Sequence, residues 1–267
     1  MKQLLLLISS LLLFSCSKAT HIGTTPTTMP PSSTTSMIDL SPTLESQILG
    51  GIQHYAVYLP PSYMKEPQHK YPVLYLLHGM YQNYRSWIHE GELQAAADKA
   101  IAEGAAEMII ICPNGFNSFY YNSTDMRYED FFIQEFVPEI ERRYRILSEK
   151  EHRNIAGLSM GGFGATYLAF QYHELFGNAY STSGGFIEPA TTLLKNIINA
   201  KLATEKSHFP TYTLECGEED ALVIESNRTL SQFLDEKQIH YTKIFRQGTH
   251  NWKFWKESLS KILRSVR

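Results

Sequence analysis

Several absences narrow what this chain can be. It has no basic excess: 24 Lys+Arg stand against 27 Asp+Glu, for a formal net charge of −3. A nucleic-acid binder needs a basic patch, so no nucleic-acid partner is expected. Cysteine is scarce, 3 in 267 residues, too few for a disulfide framework and odd in number. A membrane-spanning helix needs about 20 apolar residues, whereas the N-terminal run Leu4–Phe14 covers 11 and is interrupted by Ser9 and Ser10. No two histidines show metal-ligand spacing with a carboxylate nearby, so neither a metal nor another cofactor is expected. There is no internal repeat.

What is present argues for one folded domain. The hydrophobic fraction is 43% and the aromatic fraction 12%, enough for a substantial core. The length suits a single α/β domain.

The first residues read as a targeting segment. Lys2 supplies a positive start, and Leu4–Phe14 has the length of a signal-peptide core. Leu13-Phe14-Ser15-Cys16 resembles the lipobox of bacterial lipoproteins, which implies cleavage before Cys16 and acylation of its thiol. Acyl chains would then anchor the protein to a membrane, each buried CH₂ adding about 0.8 kcal/mol. Residues 17–44 hold 8 Thr, 5 Ser and 4 Pro with no apolar periodicity, the composition of a spacer. The expected organisation is a signal peptide over 1–15, a lipidated Cys16 and tether over 16–44, and a catalytic domain over 45–267, held at the bacterial cell envelope.

From residue 45 onward strand and helix patterns alternate. Tyr55–Leu59, Val73–Leu77, Met108–Cys112, Asn154–Leu158, Ala179–Ser183, Tyr212–Cys216 and His240–Phe245 read as strands. Leu93, Ala96, Ala97, Ala100 and Ile101 recur at helical spacing, with Gly104 as a stop. Phe132, Phe136 and Ile140 share a second helix face, which Pro138 must bend or begin. Residues 160–173 and 222–236 are further helices. The alternation predicts a mostly parallel central sheet with helices on both faces.

Gly157-Leu158-Ser159-Met160-Gly161 is G-x-S-x-G. Alone this pentapeptide says little, but here it follows an apolar strand and opens a helix, the setting of a nucleophile elbow. Ser159 is therefore the candidate nucleophile. A serine hydroxyl needs a base, and the base an orienting acid. Tyr212–Cys216 ends in Gly217-Glu218-Glu219-Asp220, which makes Asp220 the expected acid, with Glu218 and Glu219 as rivals. The last strand is followed by Gln247-Gly248-Thr249-His250, so His250 is the expected base. An oxyanion hole takes two backbone N–H donors. Met160, after the serine, and Met80, in the loop after Val73–Leu77, are the expected pair.

Leu76-Leu77-His78-Gly79-Met80, Asn83 to Trp87, Cys112-Pro113-Asn114-Gly115 and Ile155 to Gly162 together resemble the esterase D-like branch of the α/β-hydrolases. That branch includes feruloyl and acetylxylan esterases, tributyrin esterases and S-formylglutathione hydrolases. The resemblance runs from about residue 45 to 260. It implies the α/β-hydrolase fold without a large lid, a Ser159–His250–Asp220 triad, and hydrolysis of acyl esters. Its strand order would keep Cys112 and Cys216 several strands apart, leaving two buried free thiols. The His loop reads His-Asn-Trp where many relatives have His-Asp-Trp, a departure that bears on the support of that loop.

The resemblance places aromatics at Trp87 and Trp252, and the loop Phe116–Tyr121, with Phe119, Tyr120 and Tyr121, is expected near the site. Trp87, Asn114, Tyr120, Tyr121 and Trp252 are the expected substrate contacts, able to stack on a sugar or a phenolic acyl group, or only to shape a wall. Acetyl or feruloyl esters of plant polysaccharide are the expected substrates. The alternatives are a general short-chain esterase and an acyltransferase with the same triad.

Overall fold

All five residues of Val73–Leu77 are buried. Val73, Tyr75 and Leu77 enter one hydrophobic cluster, and Leu74 and Leu76 enter another. A strand covered on both faces has no polar side to alternate with, which is why its sequence is continuously apolar.

The computed structural model describes residues 35–204 and 209–267. Among them the strands are β1 (Met37–Asp39), β2 (Thr43–Glu45), β3 (Ile52–Leu59), β4 (Val73–Leu77), β5 (Ile109–Pro113), β6 (Arg153–Leu158), β7 (Asn178–Thr182), β8 (Thr211–Gly217) and β9 (Thr242–Arg246). They form one sheet in the order β1-β3-β5-β4-β6-β7-β8-β9, with β2 paired to β3. From β5 to β9 every neighbouring pair is parallel, whereas β3 runs antiparallel to β1, β2 and β5. The chain steps outward from β4 to β5 and then returns to place β6 on the other side of β4. Such a switch point opens a crevice beyond the C-terminal strand ends, where α/β folds bind ligands.

The helices are α1 (Ser86–His89), α2 (Leu93–Ala102), α3 (Tyr128–Asp130), α4 (Val137–Arg143), α5 (Met160–Gln171), α6 (Ala190–Thr204), α7 (Ile224–Glu236) and α8 (Trp252–Ser265). Side chains of α2 and α8 cover one face of the sheet, and those of α4 to α7 the other. Phe131–Phe136, between α3 and α4, is π-helical. There Val137 N–H donates to Phe132 O, five residues back. The wider turn lets Pro138, which has no N–H, enter the first turn of α4.

One expected boundary is wrong. The tether is expected over residues 16–44, yet β1 lies inside that range, β2 begins inside it, and both belong to the sheet. Met37, Ile38 and Asp39 pair with Leu59, Tyr58 and Val57, and Leu44 is buried in the core. Composition pointed to a tether because Ser, Thr and Pro dominate the stretch. The physical driver is the open edge of β3, whose unpaired backbone groups recruit even a three-residue strand. The expected signal peptide, Cys16 and the tether up to residue 34 lie outside the described residues.

Cys112 on β5 and Cys216 on β8 are buried and free, with β4, β6 and β7 between their strands. Burial raises both thiol pKa values, that of Cys216 to about 12.

Candidate active site

Ser159 sits where β6 turns into α5. Its backbone has φ 51° and ψ −118°, a conformation an L-residue adopts only under constraint. Backbone hydrogen bonds supply the constraint: Ser159 N–H donates to Thr182 O at 3.0 Å, and Ser159 O accepts from Gly185 N–H at 2.8 Å and Phe163 N–H at 3.1 Å. A Cβ on Gly157 would come within 2.3 Å of Gly161 O, and one on Gly161 within 2.5 Å of Leu77 O. Both glycines are therefore required for the sharp turn, which leaves Ser159 half-buried at the start of a helix.

His250 lies between β9 and α8. Its Nδ1 is 2.7 Å from Asp220 Oδ2, and its Nε2 is 3.0 Å from Ser159 Oγ. A carboxylate only accepts, so Nδ1 carries the proton and Nε2 is free to accept from the serine hydroxyl. Asp220 is buried at the end of the β8 loop, and its Oδ1 also accepts from Leu222 N–H. The rivals Glu218 and Glu219 are exposed; their amides donate to Arg246 O and Gly248 O. Asn251 Oδ1 caps α8 by accepting from Phe254 N–H at 3.1 Å. The departure from His-Asp-Trp thus keeps a good capping residue where one is needed.

A cleft of about 400 Å³ opens over Ser159 and His250. Met80 and Met160 line it from the loop after β4 and from the start of α5. Its walls are mainly apolar, with Phe119 and Tyr81 on one side and Ile187, Leu222 and Trp255 among the others. Tyr81, Ile187 and Leu222 are exposed at its rim.

The five expected substrate contacts do not line this cleft. Trp87 is buried and donates from Nε1 to Leu77 O at 3.0 Å. Trp252 stands edge-on between Trp87 and Trp255, at 5.3 Å from each. Tyr120 is buried against Gly164 and donates to His78 O at 3.0 Å. Tyr121 packs on Phe163 and Tyr167. The Asn114 carbonyl accepts from Tyr128 Oη, and its amide donates to His54 O. These aromatics pack behind the loops, and the Tyr120 ring fills the space that Gly115 and Gly164 leave. Of the aromatics in the cleft, Phe119 belongs to the loop expected near the site, whereas Tyr81 and Trp255 were not anticipated. Trp255 was within reach, since Trp255, Leu259 and Ile262 recur at helical spacing after the His loop and are all buried.

His78 has a structural task next to the site. Gly115 N–H donates to its Nε2 at 2.8 Å, and its Nδ1 lies 2.7 Å from Gly79 O. The amide fixes Nε2 as acceptor, so Nδ1 bears the proton and donates. Burial pulls its pKa down to about 4 and keeps the ring neutral. This one imidazole ties the loop that carries Met80 to the loop after β5.

The Esterase family matches residues 46–266. The chain is 35% identical over 156 residues to an endo-1,4-beta-xylanase/feruloyl esterase of Xylanibacter ruminicola; the match covers 55% of this chain and 22% of that protein. It is 28% identical over 219 residues to an acetyl esterase of Caldicellulosiruptor saccharolyticus, covering 70% of this chain and 80% of that one. The chain thus spans about a fifth of the first relative and most of the second. Among solved structures, a ferulic acid esterase superposes with a TM-score of 0.76 at 30% identity, covering 87% of this chain and 97% of that chain. The mostly parallel sheet, the strand–turn–helix around Ser159 and these matches agree, and the chain belongs to the Esterase family of carboxylic ester hydrolases, with the α/β-hydrolase fold.

Proposed function

We propose that the protein is a serine carboxylesterase acting through Ser159, His250 and Asp220, and that it cleaves acetyl or feruloyl esters of plant polysaccharide. The observation that carries the reading is the unbroken run Asp220–His250–Ser159, at 2.7 and 3.0 Å, opening onto an apolar cleft. Ser159 Oγ attacks the ester carbonyl while His250 Nε2 takes its proton. The Met80 and Met160 N–H groups receive the developing alkoxide, and each such donor is worth about 10²–10³ in rate. Collapse expels the alcohol, which takes the proton from His250. Water, deprotonated by the same ring, then releases the acid from the acyl-serine.

The apolar walls support an acyl group as the part held in the cleft, and the phenyl and indole of Phe119 and Trp255 suit an aromatic acyl chain. Relatives described as a feruloyl esterase and an acetyl esterase support the two candidate acyl groups. Cleavage before Cys16 and acylation of its thiol would hold the domain at the bacterial envelope, with a spacer preceding β1. Metabolic labelling with a radioactive fatty acid, lost in Cys16→Ser, tests that part.

The activity is tested on protein lacking residues 1–16, with p-nitrophenyl acetate, p-nitrophenyl butyrate, acetylated xylan and methyl ferulate. Wild type is expected to hydrolyse at least one of them, and Ser159→Ala to lose at least about three decades. A preference for methyl ferulate assigns the cleft to phenolic acids, and a preference for acetyl esters assigns it to small acyl groups. Equal inactivity of both proteins on every ester would sink the reading.

A further inference from the structure

Glu215 is a carboxylate with no solvent exposure, in the middle of β8. It accepts from Arg246 Nε at 2.6 Å, Lys261 Nζ at 2.5 Å and Tyr180 Oη at 2.8 Å. These donors outweigh the burial and hold its pKa below the usual carboxylate value. The fully buried charge is thus compensated, as a buried ion pair requires.

Arg246 spends its other donors nearby. Nη2 bonds Phe254 O and Ser258 Oγ, Nη1 bonds Glu257, and the guanidinium lies 3.7 Å over the Phe254 ring. The Phe254 ring in turn lies against Gly248, where φ is +147° and a Cβ would meet it at 2.2 Å. Gly248 O accepts from Glu219 N–H, and Arg246 O accepts from Glu218 N–H. The guanidinium therefore sits where the loop to Asp220 and the loop to His250 leave the sheet together. It braces the first turn of α8 against both.

The geometry points to Arg246 as a positioning residue for the reaction: braced on buried Glu215 and stacked on Phe254, it sets the distance between the Asp220 and His250 loops. The inference rests on the proposed esterase function. Arg246 does not line the cleft over Ser159 and His250, so its loss should act on kcat and leave binding alone. A misplacement of about 1 Å in a catalytic group can cost about 10²-fold.

The test uses three variants on p-nitrophenyl acetate. Arg246→Lys keeps a charge for Glu215 but loses the planar stack and the fork to Phe254 O and Ser258. The double variant Glu215→Gln/Arg246→Gln removes both charges, so no unpaired charge is left buried. Glu257→Gln removes only the exposed outer partner. The expected result is a kcat loss of about 10-fold for Arg246→Lys and about 10²-fold for the double variant. KM should stay within about twofold and folding should be intact by circular dichroism, with Glu257→Gln close to wild type. If the double variant does not fold, Arg246→Lys decides alone. Folded variants with unchanged kcat, or with KM rising in step with the loss, would overturn the inference. So would a loss in Glu257→Gln as large as that in Arg246→Lys. A wild type inert on every ester removes the proposed function first, which is a different result from an active wild type indifferent to residue 246.

Discussion

The indole of Trp255 stands edge-on to the His250 imidazole, ring centroids 5.0 Å apart and planes at 86°. This contact holds one side of the imidazole while Asp220 and Ser159 hold its two nitrogens. Trp255 Nε1 is buried with no hydrogen-bond partner among the described residues. Trp255→Phe therefore gives up ring volume but no hydrogen bond. It is expected to cost about 1–2 kcal/mol and to keep kcat within a few-fold. Trp255→Ala opens a cavity, costs about 3–5 kcal/mol, and lets the imidazole swing, with at least about a tenfold fall in kcat. Thermal unfolding and ester hydrolysis on the same preparations check both.

Asp220→Asn is expected to be far more harmful than its size suggests. The amide Nδ2 can donate toward His250 Nδ1, which favours the tautomer with the proton on Nε2. That nitrogen then has nothing with which to take the proton of Ser159. In a serine protease with a Ser-His-Asp triad, the equivalent change costs about 10⁴ in kcat. A drop of two or more decades with a native circular dichroism spectrum is expected here. Activity within tenfold of wild type would mean that the 2.7 Å contact to Asp220 does not orient the base.

The juxtaposed Ser159, His250 and Asp220 were legible as candidates because each stands beyond a strand end with its own punctuation. Gly157 and Gly161 mark the elbow, Gly217 precedes Asp220, and Gly248 precedes His250. The central strands were legible because burial on both faces leaves an apolar run, as in β4 and β5. What the sequence did not disclose is which way a ring points once its loop is closed. Trp87 and Tyr120 look like binding aromatics, yet both find backbone carbonyls to donate to, at Leu77 and His78, and turn inward. The strands β1 and β2 were hidden for another reason. They are too short to show a period, and only the edge of β3, brought close by the fold, gives them a partner.

The two buried thiols should be chemically silent. Cys112 and Cys216 are each about 1% exposed or less, and burial raises both pKa values, so little thiolate exists at neutral pH. Ellman's reagent, applied to protein lacking residues 1–16, is expected to find no thiol reacting quickly in buffer and two in guanidinium chloride. Rapid labelling of either in the native state would show that its strand opens readily.

Acid should weaken the fold through His78 before it reaches the carboxylates. In the folded state this ring has a pKa of about 4, against 6.5 unperturbed. As pH falls through 6.5 the unfolded chain takes up a proton that the native chain refuses. Stability is therefore lost between about pH 6.5 and 4, and the loss is complete below that range. At about 1.4 kcal/mol per pH unit, the total is on the order of 3 kcal/mol, applied to a group that is 1% exposed. The salt-bridged Glu139, whose pKa is lowered to about 2, acts only below its ordinary value of 4.5, so the two contributions largely separate on the pH axis. Urea midpoints measured at pH 7.5, 6 and 5 are expected to fall steadily in wild type. In His78→Gln they should start lower, because the bond from Gly115 N–H weakens, and then fall less over the same range. Parallel slopes in the two proteins would assign the acid sensitivity to other groups.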